Sequence, residues 1–216
     1  MTPSAYPPYQ LSIQAGLASW HQPNACISIC HPLGLLQALS NMSSVVVSPY
    51  SAEWPNCFLA IREEVLAVFS PISVAIEHIG STSVPGLAAK PVIDVLLGAR
   101  SLAEVESKIE ALGGLGYAYS RKYEDVLPMR RYFVKSPAAS FRVHLHAVER
   151  GSRIWREHLA FRDALRSDPA LRARYQSLKL QLAQTFADDK AAYSAAKDPF
   201  VQSVLDAALE RSASNP

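Results

Sequence analysis

Ile76-Glu77-His78-Ile79-Gly80-Ser81-Thr82-Ser83-Val84-Pro85-Gly86-Leu87-Ala88-Ala89-Lys90-Pro91-Val92-Ile93-Asp94-Val95-Leu96 reads as strand, loop, strand. Val74, Ile76 and Ile79 supply the apolar positions of the first strand, small residues fill the loop, and Val92, Ile93, Val95 and Leu96 form a β-branched run around one acid. An ionised Asp on a mostly apolar strand has to be paired, hydrated or metal-bound. Gly80, Ser81, Thr82 and Ser83 offer backbone N–H groups and hydroxyls close by, so loop and acid together point to a site for metal-bound phosphate.

Elements of both kinds flank this unit. Val45 to Val47 reads as a strand. Glu53 to Phe69 reads as a helix, with Pro55 in its first turn and Phe58, Leu59, Val65 and Leu66 as its apolar stripe. Ser101 and Glu104 form a capping box for a further helix, which carries Val105, Ile109 and Leu112 on one face and stops at Gly113-Gly114. Tyr117 to Ser120, Arg130 to Lys135 and Phe141 to Val148 read as strands. The rest is helical: Asp168-Pro169 and Asp198-Pro199 each place an N-cap before a proline, and Leu171, Tyr175, Leu178, Leu182 and Phe186 mark a core-facing stripe. The expected class is α/β (α+β), a mixed sheet flanked by helices with a helical C-terminal third.

A chain of 216 residues, 49% apolar, is long enough for one well-buried domain. The net charge of +2 hides a local surplus, since Arg130 to Lys179 holds 12 basic residues against 4 acidic ones. That fits either a phosphorylated partner or a pair of solvated helices. Three cysteines make a disulfide framework unexpected and a reducing compartment, the cytoplasm, the default. Cys26-x-x-x-Cys30-His31 lacks the second pair of ligands that a structural metal site needs.

The first 52 residues contain no Lys, Arg, Asp or Glu. A secretory signal needs a positive leader, and a membrane span needs about twenty apolar residues. Ile27 to Leu39 is short and broken by His31, Pro32 and Gly34, so no membrane partner is expected. The domain division read from this is an unstructured or spurious extension over 1–44, one domain over 45–210 and a disordered tail over 211–216, with the functional chain starting near Met42.

Several side chains are candidates for chemistry. Asp94 faces the Gly-Ser loop and can hold Mg²⁺ against a phosphate, or can merely shape the loop. His144 and His146 lie two apart on a strand and project from one face, suited to one divalent metal, to water activation or to a structural role. His78 is a possible third nitrogen ligand or a hydrogen-bonded structural residue. Arg162 and Arg166 share a helix face, where two guanidiniums repel unless an anion lies between them. Asp163, one residue round from Arg162, is expected to contact another element. Lys90 reaches towards a phosphate as a point charge or is a solvated loop lysine.

The stretch from Gly80 to Pro91 with Asp94 resembles the GrpB family, a branch of the nucleotidyltransferase superfamily. Val46-Val47-Ser48-Pro49-Tyr50 with Trp54-Pro55 and Phe58 resembles its opening elements, His144-Leu145-His146 its His-x-His strand, and Phe161 to Arg166, Tyr175, Leu178-Lys179, Tyr193 and Lys197 its helical half. The resemblance covers roughly Val45 to Leu209. It implies a nucleotidyltransferase-like fold in which Gly80 to Ser83 hold the phosphates of a nucleotide and Asp94 holds Mg²⁺ or Mn²⁺, with transfer to an unknown acceptor. Leu96 stands where the superfamily usually has a second carboxylate. That departure raises a binding module for a nucleotide or other phosphorylated small molecule, without transfer, as the alternative, and a metal-dependent phosphohydrolase using His144 and His146 as a third reading. A nucleic-acid partner stays open.

Overall fold

The computed structural model describes residues 45–138 and 140–213; the Cys26, Cys30 and His31 trio, Met42 and the rest of the proposed extension lie outside them. The elements run α1 (Glu53–Phe69), β1 (Ala75–Ile79), β2 (Val92–Ala99), α2 (Leu102–Glu106), α3 (Ile109–Gly114), β3 (Ala118–Ser120), β4 (Arg130–Lys135), β5 (Arg142–Glu149), α4 (Arg153–Ser167), α5 (Pro169–Thr185), α6 (Lys190–Ala195) and α7 (Asp198–Ala213).

The five strands form one mixed sheet in the order β1-β2-β5-β4-β3. Only β2 and β5 run parallel, and their register sets Asp94 opposite His144 and Leu96 opposite His146. Because side chains alternate along a strand, the two faces of this central pair differ in character. One face carries Ile93, Val95, Leu97, Val143, Leu145 and Ala147, buried under Trp54, Val65 and Phe69 of α1 and Val105 and Leu112 of the α2–α3 stretch. The other carries Asp94, Leu96, His144, His146 and Val148. At its far end Leu96 and Val148 pack with Ile79, Ile154 and Trp155.

A separate apolar cluster ties the β1–β2 loop to the C-terminal helices. Val84 and Leu87, both fully buried, pack with Leu165, Leu171, Tyr175 and Val204. Polar contacts reinforce this grip. Ala88 N–H donates to Gln176 Oε1 at 2.8 Å, and the Lys179 ammonium donates to Ala88 O. The helical third therefore forms a wall beside the loop and over the polar half of the sheet.

Several expectations need correction. Val45 to Val47 is not a strand: Val45 N–H donates to Ala187 O at 2.7 Å, and only Ser48 pairs, in a single bridge, with Ala89 of the loop. β-branched residues favour a pleated surface, but here no regular partner strand is available. The capping box at Ser101 is open, because Glu104 Oε2 accepts from Arg100 N–H rather than from Ser101. The helix it starts is also broken into α2 and α3. Asp198 is the first helical residue rather than the cap, since Lys197 O already accepts from Val201 N–H. Of the α5 stripe, Leu171 and Tyr175 are buried, Leu178 packs against them, and Leu182 and Phe186 stay half-exposed.

Candidate functional site

The β1–β2 loop owes its shape to two bonded residues. Thr82 donates its hydroxyl to Val92 O at 2.9 Å and contacts His78 Nε2 at 3.1 Å. With the hydroxyl proton already committed, Thr82 accepts from His78, so His78 carries its proton on Nε2. Burial holds His78 down to about 4, and its ring stacks on Phe58 with centroids 4.7 Å apart. His78 is thus a structural donor to the loop; the nitrogen nearest the site holds a proton instead of a lone pair for a metal. Ser83 is likewise spent, its hydroxyl donating to Gly80 O at 2.6 Å. Of the expected phosphate-binding quartet, Ser81 and Thr82 line the cleft, whereas Gly80 and Ser83 support it from behind.

Gly80 has φ 69°, and a Cβ there would overlap the carboxylate of Asp94. The loop backbone and the acid therefore touch, with no side chain between them. Asp94 Oδ1 meets His144 Nδ1 at 3.2 Å and His146 Nε2 at 3.7 Å. Burial pushes the Asp94 carboxyl up, but the hydrogen bond from His144 and the nearby His146 outweigh it and hold the group well below the usual carboxylate range. Asp94, His144 and His146 form a cluster whose ligand atoms lie within 4.8 Å of one another. A carboxylate with imidazole suits Mn²⁺, and the carboxylate suits Mg²⁺.

Above this floor opens a cleft of about 410 Å³. Its basic lining is Lys90, Lys122, Arg142, Lys179, Lys190 and Lys197, set against Asp94 as the single carboxylate among the described lining residues. Lys90 and Lys197 both lie on the ring of Tyr193, at 4.6 and 4.5 Å. Burial, then the charges of Lys197 and Lys190, brings Lys90 down to about 8. Burial and Lys197 bring Lys179 to about 7, and burial brings Lys197 to about 8. The lysines crowd one another on one wall of the cleft, and a single acid does not offset them.

Arg162 and Arg166 lie outside the cleft lining and hold the loop from below. Arg162 donates to Glu77 at 2.7 Å, to His78 O at 3.2 Å and to Asp163 at 2.7 and 3.1 Å. Arg166 donates twice to Ser83 O, at 3.0 and 2.8 Å. The expectation that Asp163 does not face Arg162 fails for a simple reason: the long guanidinium stem folds round the helix to its neighbour. No anion is needed between the arginines, since protein acceptors fill that place.

Sequence reasoning did not single out several lining residues. Lys179 carried a readable signal, lying one helical turn after Tyr175 on the buried stripe, where a lysine needs a reason. Lys190, Lys122, Arg142 and Tyr132 carried none, because only the fold brings them to the cleft, and the same holds for His158 behind it. His158 of α4 sits with its ring 5.8 Å from that of His146 and is held down to about 3, by burial and by His146.

The fold is that of an α/β protein, a mixed sheet flanked by helices, with a carboxylate and imidazoles at the floor of a lysine-lined cleft. Within that class the chain belongs to the GrpB family, whose profile, described as GrpB protein, matches residues 44–207. The crystal structure of the conserved protein GrpB from Enterococcus faecalis overlays with TM-score 0.70 at 34% identity, covering 77% of this chain and 98% of that one. The protein YqkA of Bacillus subtilis is 39% identical over 71% of this chain, but the match spans only 44% of that relative's length. Terminal uridylyl transferase 4 from Trypanosoma brucei overlays at TM-score 0.48 with 14% identity, covering 76% of this chain and 55% of that one, too distant to carry its bound ligand over to this chain. Among the described residues no helix is long and apolar enough to cross a membrane.

Proposed function

We propose that the cleft binds the phosphate chain of a nucleoside triphosphate with Mg²⁺ or Mn²⁺ and serves transfer of the nucleotidyl group to an acceptor hydroxyl. The observation that carries this reading is the convergence of six basic side chains on a cleft whose single carboxylate, among the described lining residues, is already hydrogen-bonded by His144 at 3.2 Å and faced by His146 at 3.7 Å. Such a surplus is neutralised by a ligand with several negative charges, and clefts walled by protein strengthen that attraction.

Asp94 and His144 would hold the cation, which when bound supplies charge neutralisation of the phosphate oxygens. Ser81 and Lys90 lie beside the phosphates from the loop side, and Lys179 and Lys197 from the helical wall. The two tyrosines Tyr123 and Tyr132 on the opposite side offer apolar surface for a ring. In the transfer step the acceptor oxygen bonds to the α-phosphorus, the bond from that phosphorus to the β-bridging oxygen breaks, pyrophosphate leaves and the hydroxyl proton passes to water. The protein's part is to position and to neutralise.

A second reading, binding without transfer, is favoured by Leu96. It is fully buried among Ile79, Val148, Ile154 and Trp155, so the place of a second acid is dry hydrocarbon. Calorimetric titration with ATP, GTP, CTP and UTP, each with Mn²⁺, tests the common premise. No saturable binding of any of the four sinks both readings. Bound nucleotide with pyrophosphate release, in the presence of hydroxyl acceptors, supports transfer; binding alone supports the second reading, and orthophosphate release without acceptor points to hydrolysis.

A further inference from the structure

Lys190, Tyr193, Ser194 and Lys197 recur at three- and four-residue spacing, so α6 and the turn that follows it turn one stripe to the cleft, and all four residues line it. The Asp189 carboxylate anchors that stripe by accepting from Ala191 N–H at 3.0 Å and Ala192 N–H at 2.9 Å, and Lys197 N–H extends it by donating to Ser194 O at 3.2 Å. Tyr193 is 3% exposed, and its ring meets two ammonium groups from distant parts of the chain. Lys197 lies 4.5 Å from the ring centroid, and Lys90, from the β1–β2 loop, lies 4.6 Å from it. Asp94 is the single carboxylate among the described lining residues and is already bonded to His144 at 3.2 Å. Among those lining residues no other acid is left to pair with either lysine, and the ring is the group on which both rest.

We propose that Tyr193 is a positioning residue that holds Lys90 of the loop and Lys197 of the helical wall against one ring, as a preformed pair of cationic donors for a phosphate chain. A carboxylate in that place would fix the two ammonium groups but cancel their charge. An aromatic face attracts them through its quadrupole, keeps their positive charge and leaves their N–H groups free to donate to an anion. Lysine stems are long and flexible, and like charges on one wall repel. Without the ring both side chains would swing apart, and a ligand would have to order them on arrival at a loss of affinity. The role in anion binding rests on the reading of the cleft as a phosphate site; the hold of the ring on the two lysines does not.

The test uses inorganic tripolyphosphate, without metal, as the probe in calorimetric titration; it has no base that could stack on the ring. Tyr193→Phe keeps the aromatic face and is expected to bind within about twofold of the unsubstituted protein. Ring fluorination drains the face of negative charge with little change of shape. Replacing Tyr193 by mono-, di- and trifluorophenylalanine should therefore weaken binding in steps, reaching about tenfold at the third. A ring that only fills space would leave affinity level across that series. Side-chain spectra of lysine-labelled, ligand-free protein, assigned by difference against Lys90→Arg and Lys197→Arg, give a second readout. The methylene signals beside both ammonium groups should lie upfield through the ring current and lose that displacement in Tyr193→Leu. Level affinity across the fluorinated series overturns the proposal and leaves the phosphate site standing, and so does a lack of upfield displacement in the unsubstituted protein. An unsubstituted protein that binds no tripolyphosphate overturns the proposal together with the phosphate reading of the cleft, so the two failures are told apart. The fluorinated proteins and the unsubstituted spectra decide the matter should Tyr193→Leu fail to fold.

Discussion

The carboxylate of Asp94 rests against Gly80, in the space that any Cβ at position 80 would take. Gly80 also has φ 69° with ψ −175°, an extended positive-φ conformation that is essentially confined to glycine and costs other residues roughly 1–3 kcal/mol. Gly80→Ala therefore meets both penalties and moves the acid off the histidines. The expected outcome is a loss of at least 2 kcal/mol, roughly, in denaturant unfolding, together with lost nucleotide binding. Gly86 is the control. Its φ is 77°, but a Cβ there meets nothing within 4 Å. Gly86→Ala should lose only the backbone contribution and keep its affinity; equal loss of binding in both variants would mean that Gly80 and Asp94 are not specially coupled.

Arg162 and Arg166 should prove architectural. Arg162 is 9% exposed, and removing one partner of such a pair leaves the others unsatisfied. Glu77 is half-exposed, so water screens part of the loss. The double variant Arg162→Gln with Arg166→Gln is expected to lose roughly 2–4 kcal/mol of stability. Well below its melting temperature it should bind nucleotide within about threefold of the unsubstituted protein, since neither side chain lines the cleft. A large affinity loss with the melting temperature unchanged would return both arginines to the phosphate site.

Leu96→Asp addresses whether a second acid can be restored. Leu96 is wholly buried among Ile79, Val148, Ile154 and Trp155, so the carboxylate would lie in hydrocarbon. Leucine truncation in a core costs about 2–5 kcal/mol, and an unpaired charge adds to it. Expression should give little folded protein, read by circular dichroism and thermal melting. A stable Leu96→Asp variant that binds a second divalent cation would show that the site needs only the missing acid.

What the sequence revealed and what it hid divide along contact distance. Glu53 to Phe69 reads as a helix from its stripe and Pro55, and Arg130 to Lys135 reads as a strand from local pattern; both coincide with the elements observed. Asp94 stands out because an acid inside an apolar strand is costly wherever that strand goes. The strand order, by contrast, puts β5 rather than β3 beside β2, so the partnership of Asp94 with His144 spans 50 residues that no local pattern joins. The lysine wall is still further away, since Lys179 and Lys197 approach Lys90 only after α5, α6 and α7 fold back over the loop. Arg162 misled for another reason. Helix geometry fixes where Cβ points but leaves a guanidinium free to swing to the adjacent Asp163.

Proton linkage gives the cleft a pH signature. Lys90, Lys179 and Lys197 stand at about 8, 7 and 8 in the folded protein, against about 10.4 in an unfolded chain. Between pH 7 and 10 the unfolded chain therefore holds protons that the folded one has shed, and the stability of the ligand-free protein rises with pH across that window. A polyphosphate needs the ammonium forms, so its binding takes up protons and its affinity falls as pH rises. Affinity for ATP at pH 9 should be about ten- to hundredfold below that at pH 7.5, since a charge-assisted contact is worth roughly 1.5–3 kcal/mol and about 1.4 kcal/mol is tenfold in binding. Titration calorimetry in two buffers of different ionisation heat reads the proton uptake directly. Lys179→Met, which deletes the most strongly depressed of the three, should raise ligand-free stability near pH 7 and flatten both profiles. Affinity that stays level or climbs towards pH 9, with no proton uptake, would mean that the bound phosphates do not meet these lysines, and the anion would have to sit against Lys122 and Arg142 on the opposite wall.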